Sequence, residues 1–187
     1  ENIWLDPART SPYTFYQFWL NRDDRDVERL LKFFTFLPLD QIGTVLTRHA
    51  ADPGRREAQR LLAAELTTRV HGEEVCRRAV AASDILFGGG ELSRADAGTL
   101  ELVAGEVRVH RVSLRELSAG LPIAEALVGA GLASSKADAR RGIQGAGYSV
   151  NGERLSAERS LSSADLLAER YVVLQKGKKH FALIEVR

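Results

Sequence analysis

The sequence has a single cysteine, Cys76, among its 187 residues, which excludes an internal disulfide and any cysteine-rich metal site. Cys76 falls within the helical pattern "EEVCRRAVAASDILF", so we expect a packed thiol rather than a reactive one. The sequence also lacks any stretch near the roughly 18 consecutive apolar residues of a membrane span. The first residues, "ENIWLDPART", have neither the charged start nor the apolar run of a signal peptide. These absences favour a cytoplasmic protein with no membrane partner.

The sequence has no large excess of charge of one sign, since its net charge is only +1, but its charged residues are unevenly distributed. Residues 1–132 hold 16 Lys and Arg against 19 Asp and Glu, whereas residues 133–187 hold 10 against 6. A basic excess at one end hints at a polyanionic partner, although a solvated basic face is its commoner cause. Charge alone therefore leaves both nucleic-acid binding and a merely solvated surface open.

The first part of the sequence has the spacing of packed helices separated by clear breaks. Ser11 and Pro12 form a helix start before the aromatic-rich stretch "YTFYQFWL". Apolar residues then recur at helical spacing from Val27 until Pro38. Three more helices are predicted, one capped by Asp40, one opened by Pro53 and one over "EEVCRRAVAASDILF". We expect a mainly α-helical domain over residues 1–104.

Three consecutive glycines, Gly88 to Gly90, interrupt the helical pattern and predict a flexible joint or loop. A short helix capped within residues 93–96 and a short strand in "EVRVHRVSL" follow. Because composition and charge change beyond this point, we expect a linker over residues 105–120. A small α+β domain is predicted over residues 121–187. The predicted fold class is thus a mainly α-helical domain followed by a small α+β domain.

The stretch "SSKADARRGIQGAGYSVNG", residues 134–152, concentrates basic residues at the start of a predicted helix. Ser134 and Ser135 cap this helix, Lys136 and Arg140 share one face, and Arg141 lies one step round. Backbone N–H groups and hydroxyls at a helix start are groups that hold phosphate oxygens. The spacing alone equally favours a capped, solvated helix that leads into a hairpin.

Two hairpins complete the predicted α+β domain. Asn151 and Gly152 form the preferred two-residue hairpin turn after the strand "YSV". In "RYVVLQKGKKHFALIEV", two alternating apolar runs surround a basic turn. Lys176, Lys178 and Lys179 occupy this turn, and His180 follows it.

Catalytic motifs are weak throughout the sequence. The four histidines lie far apart, none pairs with Cys76 at a recognisable spacing, and no serine has a Gly-x-Ser-x-Gly context. The "GGGELS" stretch is not followed by the Gly-Lys-Ser/Thr of a phosphate-binding loop. We therefore predict no catalytic residue and no metal site in this chain.

The stretch 134–152 resembles the helix-turn-strand signature of the RNA-binding module named after ribosomal protein S-four. A serine followed by a basic residue, Ala-Arg three residues on, and a closing Val-Asn-Gly are all present. The resemblance covers about residues 121–187. Tyr148 occupies a position where this module usually has a β-branched aliphatic residue. Gln175 occupies a position where aminoacyl-tRNA synthetases that contain this module often have a second arginine.

The front half resembles bacterial tyrosyl-tRNA synthetases just after their catalytic domain. The stretches "IWLDPARTSPYTFYQFWLNRDDRDVERLLKFFTFL" and "EAQRLLAAELTTRVHGEE" carry this resemblance, over about residues 3–38 and 53–87. The resemblance implies a helical domain that faces the anticodon arm of tRNA, followed by the RNA-binding module. It also implies an enzyme that activates tyrosine with ATP and transfers it to tRNA.

In that family the nucleotide-binding fold, with its His-Ile-Gly-His-type motif and Lys-Met-Ser-Lys-Ser-type loop, precedes the Trp-Leu-Asp-Pro segment, here residues 4–7. We therefore expect no cofactor, ATP or tyrosine site within these 187 residues, whereas the full enzyme binds both ATP and tyrosine. The resemblance places the dimer contact of the family in the catalytic domain. This chain is thus expected to be a monomer and the full-length enzyme a homodimer.

The resulting hypothesis is that the chain binds tRNA and positions it for tyrosylation. The expected phosphate-binding residues are Ser134, Ser135, Lys136, Arg140, Arg141, Lys176, Lys178, Lys179 and His180. Asp23 and Asp24, on a break between helices, are candidates to accept hydrogen bonds from a base edge on the anticodon side, with helix capping as the alternative. A free-standing RNA-binding protein and a protein-interaction module remain rival interpretations.

Overall fold

The computed structural model describes residues 2–87, residue 92 and residues 95–187. The chain divides into two compact units, residues 1–83 and 84–187, and each is described by itself. The loop predicted at Gly88 to Gly90 lies outside the described residues, as do residues 93 and 94 of the cap predicted within residues 93–96. Asp96 of that predicted cap is described, and its carboxylate accepts a hydrogen bond from the Thr99 N–H at 2.7 Å, so a helix cap within residues 93–96 is confirmed. Within the described ranges, no helix is both long and apolar enough to cross a membrane.

The first unit consists of helices. They are α1 (Pro12–Leu20), α2 (Asp24–Phe34), α3 (Leu39–Ala51), α4 (Glu57–His71) and α5 (Glu73–Leu86), with a 3-10 turn at Pro53–Arg55. The predicted start of α1 is confirmed, because the Ser11 hydroxyl accepts a hydrogen bond from the Thr14 N–H and Pro12 occupies the first turn. α2 ends before Pro38, with Thr35 at its C-cap position. The Thr35 hydroxyl donates a hydrogen bond to the Leu31 carbonyl at 2.7 Å.

The start of α3 differs from the sequence prediction. The N-cap position is Pro38, which makes no side-chain capping bond, and Asp40 lies inside the first turn. The prediction that Asp40 caps this helix is therefore wrong. At this place a carboxylate near the positive end of the helix dipole stabilises the helix without a capping bond.

α4 lies at the centre of the first unit and packs against α1, α2 and α3. Phe15, Val27, Leu31, Ile42 and Leu62 form the buried core between these helices. Cys76 of α5 is buried as well, with its Sγ 3.5 Å from the Ala64 carbonyl oxygen. A packed thiol is therefore what the structure shows.

The second unit combines helices with a mixed sheet. Its helices are α6 (Ala97–Glu106), α7 (Leu114–Ser118), α8 (Ile123–Gly129) and α9 (Lys136–Gln144). Its strands are β1 (Arg108–Val112), β2 (Leu121–Pro122), β3 (Tyr148–Val150), β4 (Glu153–Arg154), β5 (Ser160–Leu161), β6 (Tyr171–Lys176) and β7 (His180–Val186). Five strands pair in the order β1-β7-β6-β3-β4, and β2 pairs separately with β5. The predicted fold class is confirmed.

The linker predicted at residues 105–120 differs from the structure. Strand β1 lies within this segment and pairs in parallel with β7, from Arg108 opposite Ala182 to Val112 opposite Val186. Helix α7 also lies within it and begins with a capping box between Ser113 and Glu116. The segment belongs to the second unit because it forms one edge of the main sheet.

The helices α8 and α9 cover one face of the main sheet. Ile123, Leu127, Ile143, Val172 and Ile184 belong to the buried cluster between these helices and the strands. The β3–β4 connection is the predicted hairpin, with φ of 49° at Asn151 and 86° at Gly152. Positive φ at both residues is the geometry that the Asn-Gly pair favours, so this prediction is confirmed.

Candidate RNA-binding surface

The start of α9 is capped by side chains of its own segment. The Ser135 Oγ accepts a hydrogen bond from the Asp138 N–H at 3.1 Å, as an N-cap residue does. The Ser134 N–H and hydroxyl both donate to Asp138 Oδ2, each at 3.1 Å. These bonds, the backbone one first, lower the pKa of the Asp138 carboxyl. Ser134 and Ser135 therefore cap the start of α9 in this structure. Helix capping is the alternative to phosphate binding that the spacing of these residues left open.

The three cations of α9 point outward and each faces a carboxylate. Their side chains are 56%, 56% and 74% exposed. The pairs are Lys136 with Glu125 at 2.5 Å, Arg140 with Glu158 at 3.1 Å, and Arg141 with Asp138 at 3.8 Å. Sequence analysis missed these carboxylates, although the three-residue spacing of Asp138 and Arg141 on one helix was a visible signal.

Lys176 lies beside the start of α9 although it belongs to β6. Its Nζ donates to the Leu132 carbonyl at 3.0 Å and lies 5.6 Å from the centre of the Tyr148 ring. The Tyr148 hydroxyl donates to the same carbonyl at 3.2 Å. The charge of Lys176 also contributes to the lowered pKa of Asp138. The structure thus brings Lys176 near the cations of α9.

The turn between β6 and β7 carries the remaining predicted cations. Lys176 and His180 are paired across the hairpin, so Gly177, Lys178 and Lys179 form the turn. The Gly177 N–H donates to the Gly147 carbonyl at 2.9 Å, which fixes the turn beside the segment that follows α9. Lys178, Lys179 and His180 are exposed, and within the described part of the chain the two lysines have no side-chain partner.

These residues form one exposed surface on the second unit, made of six Lys and Arg side chains and one histidine. We call it the α9–turn surface and define it as Lys136, Arg140, Arg141, Lys176, Lys178, Lys179 and His180. The contacts of Lys176 with Leu132 and of Gly177 with Gly147 hold the turn against the α9 segment. Exposed cations on a fixed backbone are suited to bind successive phosphates, since they contact charge without reading bases.

Asp23 in the first unit has a capping role. It is the N-cap of α2, and its Oδ1 accepts from the Arg25 N–H at 2.9 Å. The Arg25 guanidinium also donates to both carboxylate oxygens, and these hydrogen bonds hold the pKa of Asp23 well below its usual range. The carboxylate is therefore charged and already partnered in this structure.

Asp24, next to Asp23, is held by two buried side chains. Its Oδ1 accepts a hydrogen bond from Gln59 Nε2 at 2.5 Å and lies 3.1 Å from His49 Nε2. Gln59 is fully buried and His49 is 6% exposed, whereas the Asp24 side chain is 55% exposed. These two contacts thus fix Oδ1 of Asp24, while much of its side chain is open to solvent. Sequence analysis missed His49 and Gln59 because they lie 25 and 35 residues along the chain.

The described residues do not form a metal centre, since no three His, Cys, Asp or Glu side chains among them come together. The histidines have packing or surface positions. The His71 ring lies 5.1 Å from the Phe15 ring, and burial lowers its pKa. His110 packs against Gly129, and His180 is exposed.

Two family models match the chain. Residues 1–88 match class I tRNA synthetases of the tryptophan and tyrosine type, and residues 104–184 match the C-terminal domain of tyrosine–tRNA ligases. Together the two models cover most of the sequence: the first covers the first unit and extends to residue 88, and the second lies within the second unit. The second model includes the whole α9–turn surface.

The curated proteins that are similar to this chain include tyrosine–tRNA ligases. The tyrosine–tRNA ligase of Anaeromyxobacter dehalogenans strain 2CP-1 is 55% identical over 99% of this chain and 44% of the relative. That of Opitutus terrae is 42% identical over 98% of this chain and 44% of the relative. A C-terminally truncated mitochondrial tyrosyl-tRNA synthetase of Aspergillus nidulans is 40% identical over 46% of this chain and 25% of that chain, with a TM-score of 0.45.

The chain therefore spans less than half of the length of the curated relatives that it matches. Both family models and the two curated ligases point to the same enzymes. The chain belongs to the tyrosyl-tRNA synthetase family and includes the C-terminal domain of that family.

Proposed function

We propose that this chain is the tRNA-binding part of a tyrosine–tRNA ligase and that it positions tRNA(Tyr) for tyrosylation. The observation that carries this proposal is the α9–turn surface, an exposed group of cations within the residues that match the C-terminal domain of the family. A free-standing RNA-binding protein does not account for residues 1–88, which match the synthetases as well.

The ion pairs of α9 are compatible with this function. Exposed pairs of this kind contribute only about 0 to 1 kcal/mol, because water and salt screen them. A phosphate that approaches Lys136, Arg140 or Arg141 replaces one anionic partner by another at little cost. The carboxylates also repel the RNA when the register is wrong, which favours one placement of the backbone over others.

The tyrosylation step itself is proposed to take place outside these 187 residues. The sequence contains neither a His-Ile-Gly-His-type motif nor a Lys-Met-Ser-Lys-Ser-type loop, so ATP and tyrosine bind elsewhere on the full enzyme. The purified chain is then expected to show background exchange of pyrophosphate in the presence of tyrosine. Exchange clearly above background would contradict this assignment.

The chain is further proposed to be monomeric and to act in the cytoplasm, where tRNA is charged. Its helices have no sustained heptad pattern of the kind that drives coiled-coil pairing. Light scattering at micromolar concentration should give the mass of one chain. A stable dimer would mean that part of the exposed surface of this chain is an interface. For the full-length enzyme, we propose instead that the homodimer forms through its catalytic domain.

The test of RNA binding is a titration with tRNA(Tyr) at several salt concentrations. Replacing Lys136, Arg140 and Arg141 together by alanine should weaken binding and make the salt slope shallower by roughly 0.7 to 0.9 per lost phosphate contact. Each exposed substitution should change the free energy of unfolding by no more than about 0.5 kcal/mol. Arg115→Ala removes one exposed cation from α7 and serves as the control. Binding by the triple variant equal to that of the parent at every salt concentration would overturn the proposal.

A further inference from the structure

An open cavity of about 560 Å³ lies in the first unit, where α3 ends and α4 begins. Its lining residues include three arginines, Arg48, Arg55 and Arg60, and a single carboxylate, that of Glu57, beside Gly54. The stretch "GRREAQR" contains two of these arginines. The lining therefore has a net positive charge, and no function has been assigned to it above.

Two of the arginines make only exposed ion pairs. Arg48 Nη2 lies 2.6 Å from Glu57 Oε1, and its side chain is 58% exposed. Arg55 Nε lies 3.2 Å from Asp52 Oδ2, and its side chain is 83% exposed. Arg60 is exposed as well. Because exposed pairs are weak, the guanidinium groups of Arg48 and Arg55 can turn to a stronger anionic ligand at little cost.

Arg56, between the cavity arginines in sequence, points away from them. It adopts φ of 53° and donates to the Leu20 and Arg22 carbonyls, both at 2.9 Å from its Nη2. These bonds fix the start of α4 to the break between α1 and α2. Asp23 caps α2 at this break, and Asp24 is the first residue of α2.

Asp24 is connected to the cavity through sequence neighbours of its arginines. His49 follows Arg48, Gln59 precedes Arg60, and both His49 and Gln59 contact Asp24 Oδ1. His49 and Gln59 are buried whereas Arg48 and Arg60 are exposed, so within each pair of neighbours the arginine lines the cavity and the other side chain holds Asp24. Arginine binds phosphate with two parallel hydrogen bonds.

We infer that Arg48, Arg55 and Arg60 bind a phosphate group of the RNA backbone in this cavity. This inference rests on the proposed function, to which it adds a second phosphate-binding site on the helical unit. Three guanidinium groups around an open cavity fit a phosphate that belongs to a large ligand, since the opening leaves room for the adjoining nucleotides.

The experiment is a tRNA(Tyr) titration with the complete 187-residue chain across about 50 to 200 mM salt, a range in which phosphate contacts have a large effect. The R55A/R60A double variant should bind more weakly, with a salt slope shallower by roughly 0.7 to 0.9 per lost contact. The R55K/R60K variant keeps both charges and should keep most of the slope. A thermal melt of each variant should coincide with that of the parent.

Arg77→Ala is the matched control. Arg77 pairs with Glu74 three residues before it, as Arg55 pairs with Asp52, but it follows the other end of α4. Since α4 has 15 residues, about 20 Å separates its two ends. This variant should bind tRNA with the slope of the parent.

The outcomes separate this inference from the proposed function. If R55A/R60A binds like the parent while the alanine variant of Lys136, Arg140 and Arg141 binds more weakly, the cavity site is wrong and the α9–turn surface stands. If only R55A/R60A loses affinity, the cavity site stands and the α9–turn surface is wrong. If the parent does not bind tRNA at any salt concentration, both are wrong.

Discussion

The ring of Tyr148 lies against the backbone of Gly142, in space that a side chain at residue 142 would enter. A Cβ atom built on Gly142 would overlap Cε2 of this ring and lie 3.1 and 3.2 Å from its Cδ2 and Cζ. Tyr148 is 2% exposed and its hydroxyl donates to the Leu132 carbonyl. The glycine is what leaves room for this aromatic ring.

Gly142→Ala should therefore destabilise the second unit. The added methyl group forces the Tyr148 ring or α9 to move, at a cost of about 1 to 3 kcal/mol in the free energy of unfolding, measured by urea denaturation. Gly43→Ala in α3 is the control, since nothing lies within 4 Å of its added Cβ. Alanine there should stabilise α3 by roughly 0.5 to 1 kcal/mol.

A Tyr148→Val background isolates the contact. With the ring removed, Gly142→Ala should cost much less than it does in the parent. Equal costs in the two backgrounds would show that the tyrosine ring is not what requires glycine at residue 142.

Ala146→Gly should stabilise the chain. Ala146 connects α9 to β3 and has φ of 52°, whereas Gly145 before it has φ of −80°. A left-handed conformation costs an L-residue roughly 1 to 2 kcal/mol, which exceeds the entropy that glycine adds to the unfolded chain. We expect a gain of about 0.5 to 1 kcal/mol by urea denaturation. Ala139→Gly, at a buried position within α9, should instead destabilise, and a loss at both positions would contradict this account.

Glu185→Gln should change how stability depends on pH. Glu185 is buried and lies within 3.3 Å of three arginine side chains, Arg111, Arg170 and Arg187. Burial raises the pKa of this carboxyl, but the hydrogen bonds from Arg170 and Arg111 outweigh it and lower the pKa overall. The charged carboxylate therefore stabilises the fold above the ordinary glutamate pKa of about 4.3, and this contribution is lost as the pH falls further.

The measurement is a series of thermal melts from neutral pH to below about pH 4. The Glu185→Gln variant should melt at a lower temperature than the parent at neutral pH, and the difference should shrink on acidification. A difference that is constant with pH would mean that the charge of Glu185 does not stabilise the fold.

Substitutions at Asp24 should separate its structural role from its proposed contact with RNA. Asp24→Ala leaves the buried Gln59 amide and His49 without their shared acceptor, so we expect a loss of about 1 to 3 kcal/mol in unfolding free energy. Asp24→Asn keeps an oxygen acceptor and should unfold nearly like the parent. If Asp24 accepts from a base edge, the Asn variant should bind tRNA(Tyr) more weakly although it is folded.

Asp23 provides the comparison. Because asparagine caps helices about as well as aspartate, Asp23→Asn should leave the stability of α2 nearly unchanged, whereas Asp23→Ala should cost about 1 kcal/mol. Equal tRNA binding by the parent and both asparagine variants would exclude a charge-dependent contact at this break.

The parts of the fold that depend on neighbouring residues could be predicted from the sequence. Ser135 caps α9, and the Asn151–Gly152 pair forms the expected hairpin, because caps and turns are determined by residues within a few positions. The exposed cations of the α9–turn surface were also predicted, since their spacing on a helix and in a turn decides their exposure.

Contacts between distant residues could not be predicted in this way. β1 was assigned to a linker because its partner β7 follows about 70 residues later, and one short alternating stretch does not identify a partner. The partner of Arg140, Glu158, lies 18 residues away. The cavity arginines meet only when α3 and α4 pack, so their shared location depends on the tertiary structure.

The parallel pairing of β1 with β7 also has a consequence for the order of events during synthesis. β1 leaves the ribosome long before residues 180–186 exist, and within the part of the chain that the structure describes β7 is its one neighbour in the sheet. At about 5 to 20 residues per second, its exposed edge waits several seconds for a partner. The second unit thus closes only after residues 180–186 have emerged, whereas the first unit, built from local helix contacts, is free to fold earlier.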